Sequence, residues 1–141
     1  MEFTQVIESR YSCKNFSARQ LTPAQLDAIL AAGRVAPTAK NLQEQRIYVI
    51  QSAQGLAKID AATPCRYGAP TCLVVAFDRS NVFTYPGGKR DSGVEDASIV
   101  ATHLMLAAAN AEAKRENDKM RAEQTPVGPG VLADVPLQNV D

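Results

Sequence analysis

A mixed α/β domain is the fold class this sequence predicts, on three observations. Helix-like and strand-like segments alternate over residues 1–110. Residues 72–77 form a short run that is apolar throughout, as a covered strand requires. Residues 94–109 are apolar on nearly every side, as a helix at the centre of a fold or in a subunit interface requires. The chain has 141 residues, one domain's worth, and its 45% hydrophobic content suffices for a core. Its 15 basic and 15 acidic side chains balance, so no global field draws it to nucleic acid or to an anionic membrane, and neither partner is expected.

The elements follow in order. Residues 3–9 read as a short amphipathic helix with Phe3, Val6 and Ile7 on one side. A second helix has a clear start: Thr22 as N-cap, Pro23 in the first helical position, Gln25 completing a capping box, and Leu21 and Leu26 placed as a staple. Leu26, Ile29 and Leu30 form its inner stripe, and it should end before Pro37. Residues 46–50, rich in β-branched and aromatic side chains, predict a strand. A helix over about residues 53–60 follows, with Ser52 as its cap and Leu56 and Ile59 inward. After the strand at residues 72–77, Pro86-Gly87-Gly88 marks a loop, and Ser92 with Glu95 predicts a capping box for the long apolar helix.

The character changes at Asn110. Residues 111–124 hold four acidic and four basic side chains, and residues 125–141 are rich in Pro and Gly. The expected division is therefore residues 1–110 as the domain, with residues 111–141 as a polar helix and irregular tail. The first residues carry acidic side chains and no long apolar run, unlike a secretory signal, and no stretch is long enough to span a bilayer. Cys13, Cys65 and Cys72 are odd in number with no CxxC spacing. No metal site or disulfide framework is expected, only small buried or half-buried residues in a cytoplasmic protein with reduced thiols.

Two segments carry candidate chemistry. In Arg10-Tyr11-Ser12-Cys13-Lys14, two cations flank a hydroxyl just after a helix. Such a group can hold a phosphate through a forked Arg pair, a Lys point charge and a neutral donor; a solvated pair of surface charges explains it as well. In Ala36-Pro37-Thr38-Ala39-Lys40-Asn41-Leu42-Gln43, small residues, a rigid Pro and two amide side chains sit between a helix end and a strand start. Loops of that kind meet flat heteroaromatic ligands with their backbone groups, and they also serve as plain connections. His103, inside the apolar helix, reads as a core or interface histidine.

Taken together, Arg-Tyr-Ser-Cys-Lys-Asn-Phe near the start and Ala-Pro-Thr-Ala-Lys-Asn-Leu-Gln after it resemble the nitroreductase family. The strand at residues 47–50, the Gly68-Ala69-Pro70 entry to the next strand and residues 91–110 fit the same order, so the resemblance covers about residues 1–110. It implies an α+β, nitroreductase-like fold: a mainly antiparallel sheet flanked by helices, with a long buried central helix. It also implies a homodimer with FMN at the interface, touched by both chains.

On that resemblance Arg10, Ser12 and Lys14 match positions that hold the ribityl phosphate and flavin edge, with Tyr11 adding a backbone contact. Pro37, Thr38 and Asn41 match the segment the partner chain lays along the same flavin, with Gln43 a weaker match. The cofactor carries the chemistry: NAD(P)H delivers a hydride to flavin N5, and a small acceptor such as a nitroaromatic or quinone then takes it. No catalytic side chain is expected. Residues 111–141 lack the strand-like run and Trp that the family pattern has there, so the chain reads as shortened or recombined near Asn110. The second expectation is therefore a truncated relative that binds flavin or dimerises without turnover.

Overall fold

The computed structural model describes residues 2–111. The polar helix and tail expected over residues 111–141 lie, apart from Ala111, outside the described residues, so the division near residue 110 stays an expectation. Helices α1 (Phe3–Ser9), α2 (Pro23–Arg34), α3 (Ala53–Ala62) and α4 (Gly93–Asn110) accompany strands β1 (Gln45–Ile50) and β2 (Cys72–Phe77), with short 3-10 turns at Ala39–Asn41, Pro64–Arg66 and Arg79–Asn81. The strands pair antiparallel, Gln45 opposite Phe77 and Ile50 opposite Cys72, in a two-stranded sheet.

Local signals explain most boundaries. The capping box at α2 forms as its residues dictate: Gln25 N–H donates to Thr22 Oγ1 at 3.2 Å, and Thr22 N–H donates to Gln25 Oε1 at 3.0 Å. Ser52 Oγ accepts from Gly55 N–H at 3.1 Å and opens α3. The box expected at Ser92 and Glu95 does not form, since the Ser92 side chain makes no cap hydrogen bond. Asp91 Oδ1 takes the Gly93 N–H at 3.0 Å instead, and Glu95 turns to Arg90 at 3.6 Å. The reason is the bridge between Thr84 and Asp91, which delivers Asp91 to the helix start while Ser92 faces inward with 1% exposure.

A two-stranded sheet is marginal in water without a packing layer. Here the layer is helical. Ile29 of α2, Ala36 beyond its end, and Val100 and Leu104 of α4 form the buried cluster, with Ile47, Leu73 and Val75 of the sheet packed on it. Gly33 permits the close approach: a Cβ there would lie 2.7 Å from the Leu104 side chain and 2.9 Å from Ile47.

Helix α4 buries Gly93, Asp96, Val100 and Leu104, a stripe at three- and four-residue spacing. Its other side stays apolar and exposed, at Val94, Ile99 and Met105. Phe3 and Ile7 of α1 are exposed as well, and only Val6 of that helix is buried. Strand β2 is half-buried at every position.

Candidate functional site

The chain leaves α1 at Arg10, whose N–H bonds to Val6 O at 3.2 Å. It then runs as an arm whose one deep anchor is Cys13, 7% exposed, with the thiol donating to Asn15 O at 3.0 Å. Phe16 N–H donates to Tyr67 O at 3.1 Å and ties the arm to the turn before β2. Arg10 and Tyr11 are half-buried, whereas Ser12 and Lys14 are exposed. Ion pairs join Arg46 to Asp78, Arg66 to Asp60 and Arg90 to Glu95, and Arg10 takes part in none of these.

Lys14 is oriented by a residue the sequence did not single out. Its Nζ donates to the Tyr67 hydroxyl at 3.3 Å and lies 4.7 Å from the ring centroid. The Tyr67 hydroxyl in turn reaches Cys65 Sγ at 3.7 Å. Cys65 is exposed, contrary to the buried or half-buried position expected of each cysteine. The turn of Pro64–Arg66 pushes it out, because Arg66 is clamped by Asp60 and Ala69 O and Tyr67 adopts a left-handed φ of 51°. The Thr63 hydrogen bond, then the Tyr67 hydroxyl and the Lys14 charge, hold the Cys65 thiol pKa below its ordinary value.

The second segment is a strained turn. Lys40, Asn41 and Gln43 have φ of 54°, 56° and 52°, a region that non-glycine residues enter only when their surroundings force it. The forcing contacts are visible. Thr38 Oγ1 accepts from Gln43 N–H at 3.0 Å, and Gln43 Nε2 donates to Asn41 Oδ1 at 3.2 Å. Asn81 Nδ2 donates to Leu42 O at 2.9 Å, and Lys40 Nζ lies 4.6 Å from the Phe83 ring centroid. Pro37, Asn41 and Gln43 remain exposed at the surface of this turn.

Below the turn sits a buried acidic pair. Asp96 of α4 is 3% exposed, and its Oδ1 accepts from Ala39 N–H at 2.9 Å. Glu44, immediately before β1, is 0% exposed and is a hydrogen-bonding neighbour of Asp96. Burial and then the bond to Asp96 push the Glu44 carboxyl up. Burial also pushes Asp96 up, but hydrogen bonds from Ser92, Glu44 and Ala39 outweigh it and hold Asp96 below the usual range. The α4 N-terminus adds a favourable dipole for charge on Asp96.

Sequence reasoning missed this pair for a definite reason. Along β1, Arg46 and Tyr48 are exposed and alternation would put Glu44 with them. The left-handed Gln43 redirects the chain and turns Glu44 inward. Asp96 had a readable signal, being the acidic member of the inner stripe with Val100 and Leu104. The predicted residues thus fall into two groups, and no hydrogen bond or ion pair of Arg10, Ser12 or Lys14 reaches residues 37–43 within one chain.

Comparison with known proteins bears on both groups. Residues 7–66, which contain them, match the model of the nitroreductase family. The described fold superposes on a nitroreductase family protein from Clostridium difficile 630 with a TM-score of 0.74 and 36% identity, covering 78% of this chain and 63% of that one. The chain is nitroreductase-like. A nitroreductase family protein from Clostridium novyi NT gives a TM-score of 0.65 at 25% identity, over 78% of this chain and 65% of that one. A nitroreductase with bound FMN from Bacteroides fragilis NCTC 9343 shares the fold, with a TM-score of 0.65 at 18% identity over 86% and 77% of the two chains. This nitroreductase-like chain spans less than two thirds of the length of the two clostridial relatives. No curated protein matches it. The α+β fold with an antiparallel strand pair, expected from the resemblance, is the one found.

Proposed function

We propose that this chain is an FMN-dependent oxidoreductase acting as a homodimer, with the flavin held between an arm of one protomer and the strained turn of its partner. The supporting observation is that both segments lie inside the family-matched residues 7–66, and that among the described residues no hydrogen bond or ion pair of Arg10, Ser12 or Lys14 reaches residues 37–43. The residues fit such a group. The arm offers a half-buried Arg10, the exposed Ser12 hydroxyl and a Lys14 steered by Tyr67; the turn offers Pro37, Thr38 and the Asn41 and Gln43 amides.

Arg10 and Ser12 would bind the phosphate, the first by a charge-assisted fork and the second as a neutral donor, with the Tyr11 backbone alongside. Lys14 would lay positive charge along the phosphate or flavin edge. Asn41 and Gln43 would meet the flavin from the partner's side, with Pro37 and Thr38 shaping the turn. When bound, FMN would supply the redox chemistry, hydride transfer from NAD(P)H to a small acceptor such as a nitroaromatic or quinone. No side chain is required as acid, base or nucleophile, so the protein acts by binding, orientation and electrostatics.

The homodimer is supported by the apolar residues left on the surface: Phe3, Ile7, Val94, Ile99 and Met105. Among the described residues no helix is long and apolar enough to cross a membrane. We place the protein in the cytoplasm on its free cysteines.

The test is a visible spectrum of the purified protein with added FMN, before and after NADH or NADPH without oxygen. Flavin retained and bleached by either nucleotide supports the proposal; failure to take up FMN overturns it. A second reading is flavin binding or dimerisation without turnover. Flavin that binds and stays oxidised would establish it.

A further inference from the structure

We propose that Glu44 and Asp96 form a carboxyl pair joined by a single shared proton, and that this pair positions the strained turn for flavin binding. The positioning role rests on the flavin reading above; the pair itself does not.

The argument starts from buried oxygens. With both carboxyls ionised, the buried Glu44 oxygens and Asp96 Oδ2 lack a hydrogen-bond donor among the described residues, and the buried Ser92 Oγ makes no hydrogen bond of good geometry there. Two ionised carboxylates side by side in such a place would repel each other and leave several lone pairs unsatisfied. One proton removes both penalties. Placed on Glu44, it lets the O–H donate to Asp96 Oδ2, while Asp96 Oδ1 keeps the Ala39 N–H at 2.9 Å. The Ser92 hydroxyl is then free to donate to the remaining charge on Asp96.

Among the described residues, the nearby charges are engaged elsewhere. Lys40, in the turn, lies over Phe83. Asp78, whose N–H donates to Glu44 O, has its carboxylate on Ser80 and Arg46. Asp91 accepts from Gly93 N–H, and Glu95 of α4 meets Arg90.

The pair reaches the turn from both ends. Ala39, held by Asp96, is the residue before the left-handed Lys40 and Asn41, and Glu44 is the residue after the left-handed Gln43. Three left-handed non-glycine residues cost on the order of 1–2 kcal/mol each, so the turn persists only if anchored. Glu44 and Asp96 anchor its first and last residues to one point on α4.

The sign of the pH dependence follows. The Glu44 carboxyl titrates higher in the folded chain than in the unfolded one, so its contribution is present at low pH and lost as pH rises through its folded pKa. Asp96 behaves oppositely: its contribution is present above its unfolded pKa and lost as pH falls through its folded value. The limb on which stability falls with rising pH therefore belongs to Glu44, and Glu44→Gln, which keeps a donor but cannot titrate, should remove it.

Three measurements on the full chain decide the matter. Infrared difference spectra of wild type minus E44Q, taken on the stability plateau between the two limbs, should show the C=O stretch of a protonated carboxyl; its absence overturns the shared proton. As pH rises above that plateau, thermal midpoints should fall more in wild type than in E44Q, and parallel profiles would also overturn it. Dissociation constants for FMN, read by flavin fluorescence, should weaken about tenfold in Glu44→Ala, or about 1.4 kcal/mol, with rescue by E44Q. If Glu44→Ala does not fold, the FMN affinity of wild type against that of E44Q over the same rising-pH range is the readout, wild type alone losing affinity. Equal affinities in that comparison remove the positioning role. A wild type that binds no FMN overturns the flavin reading, leaving the infrared band and thermal profiles to judge the pair.

Discussion

Arg10 ends α1 with a guanidinium outside every ion pair among the described residues, and it is the side chain whose loss should speak most directly about the cofactor. Arg10→Ala should weaken FMN binding by about 1.5–3 kcal/mol, the usual worth of a hydrogen bond to a charged group, measured by fluorescence titration. An unchanged dissociation constant would remove Arg10 from the site. Cys65 offers a second residue-scale test. Its thiol is exposed and its pKa is lowered by Thr63, Tyr67 and Lys14, so alkylation should reach half its maximal rate at a lower pH than for an ordinary thiol. Cys65 should be modified ahead of the buried Cys13 and half-buried Cys72 in a mass-resolved labelling course, and Lys14→Met should move its profile to higher pH. Equal labelling of all three would contradict the geometry. The arm residues were legible from their chemistry and order. Tyr67 was not, because its position under Lys14 depends on a left-handed backbone in a turn that no local pattern announces.

Elements divide according to how local their causes are. The start of α2 is wholly local, and Thr22→Ala should lower the stability of the fold by about 1 kcal/mol in denaturant titration. The start of α4 is not local: Asp91, delivered by a bridge to Thr84, displaces the Ser92–Glu95 box that the sequence favours. Gly93 at that start shows how tight the contact is, since a Cβ would lie 2.2 Å from a Phe77 ring atom. Gly93→Ala gains at most about 1 kcal/mol of helix propensity, against an overpacking penalty of about 1–3 kcal/mol. With the added atom so deep inside a ring's contact distance, the penalty should win, and the denaturation midpoint should fall. A midpoint that rises would mean Phe77 moves aside freely. Strand β2 was readable to the residue because a continuous apolar run bounded by Pro70 and Asp78 has few alternatives.

At the scale of the whole molecule, the buried apolar cluster of Ile29, Ala36, Val100 and Leu104 is small, while Phe3, Ile7, Val94, Ile99 and Met105 face outward. Placing charge on that surface distinguishes an interface from ordinary exposure. Ile99→Glu with Met105→Glu should shift the protein from dimer to monomer in sedimentation velocity and release FMN with it. A variant that stays dimeric would place the interface elsewhere, and a monomeric wild type would remove the homodimer altogether.

Local sequence specified the order of helices and strands, the capping of α2 and α3, the long apolar α4 and the two segments that resemble nitroreductases. Each rests on neighbours within a turn or two of chain, where spacing translates directly into geometry. Only the tertiary structure decided that α4 has one buried side and one open one, that Lys14 meets Tyr67, and that Glu44 turns under the strained loop to Asp96. Those outcomes depend on backbone reversals at Gln43 and Tyr67 and on which surfaces the remaining elements cover. Side-chain alternation holds only while the strand is regular, and one left-handed residue is enough to reverse what faces the core.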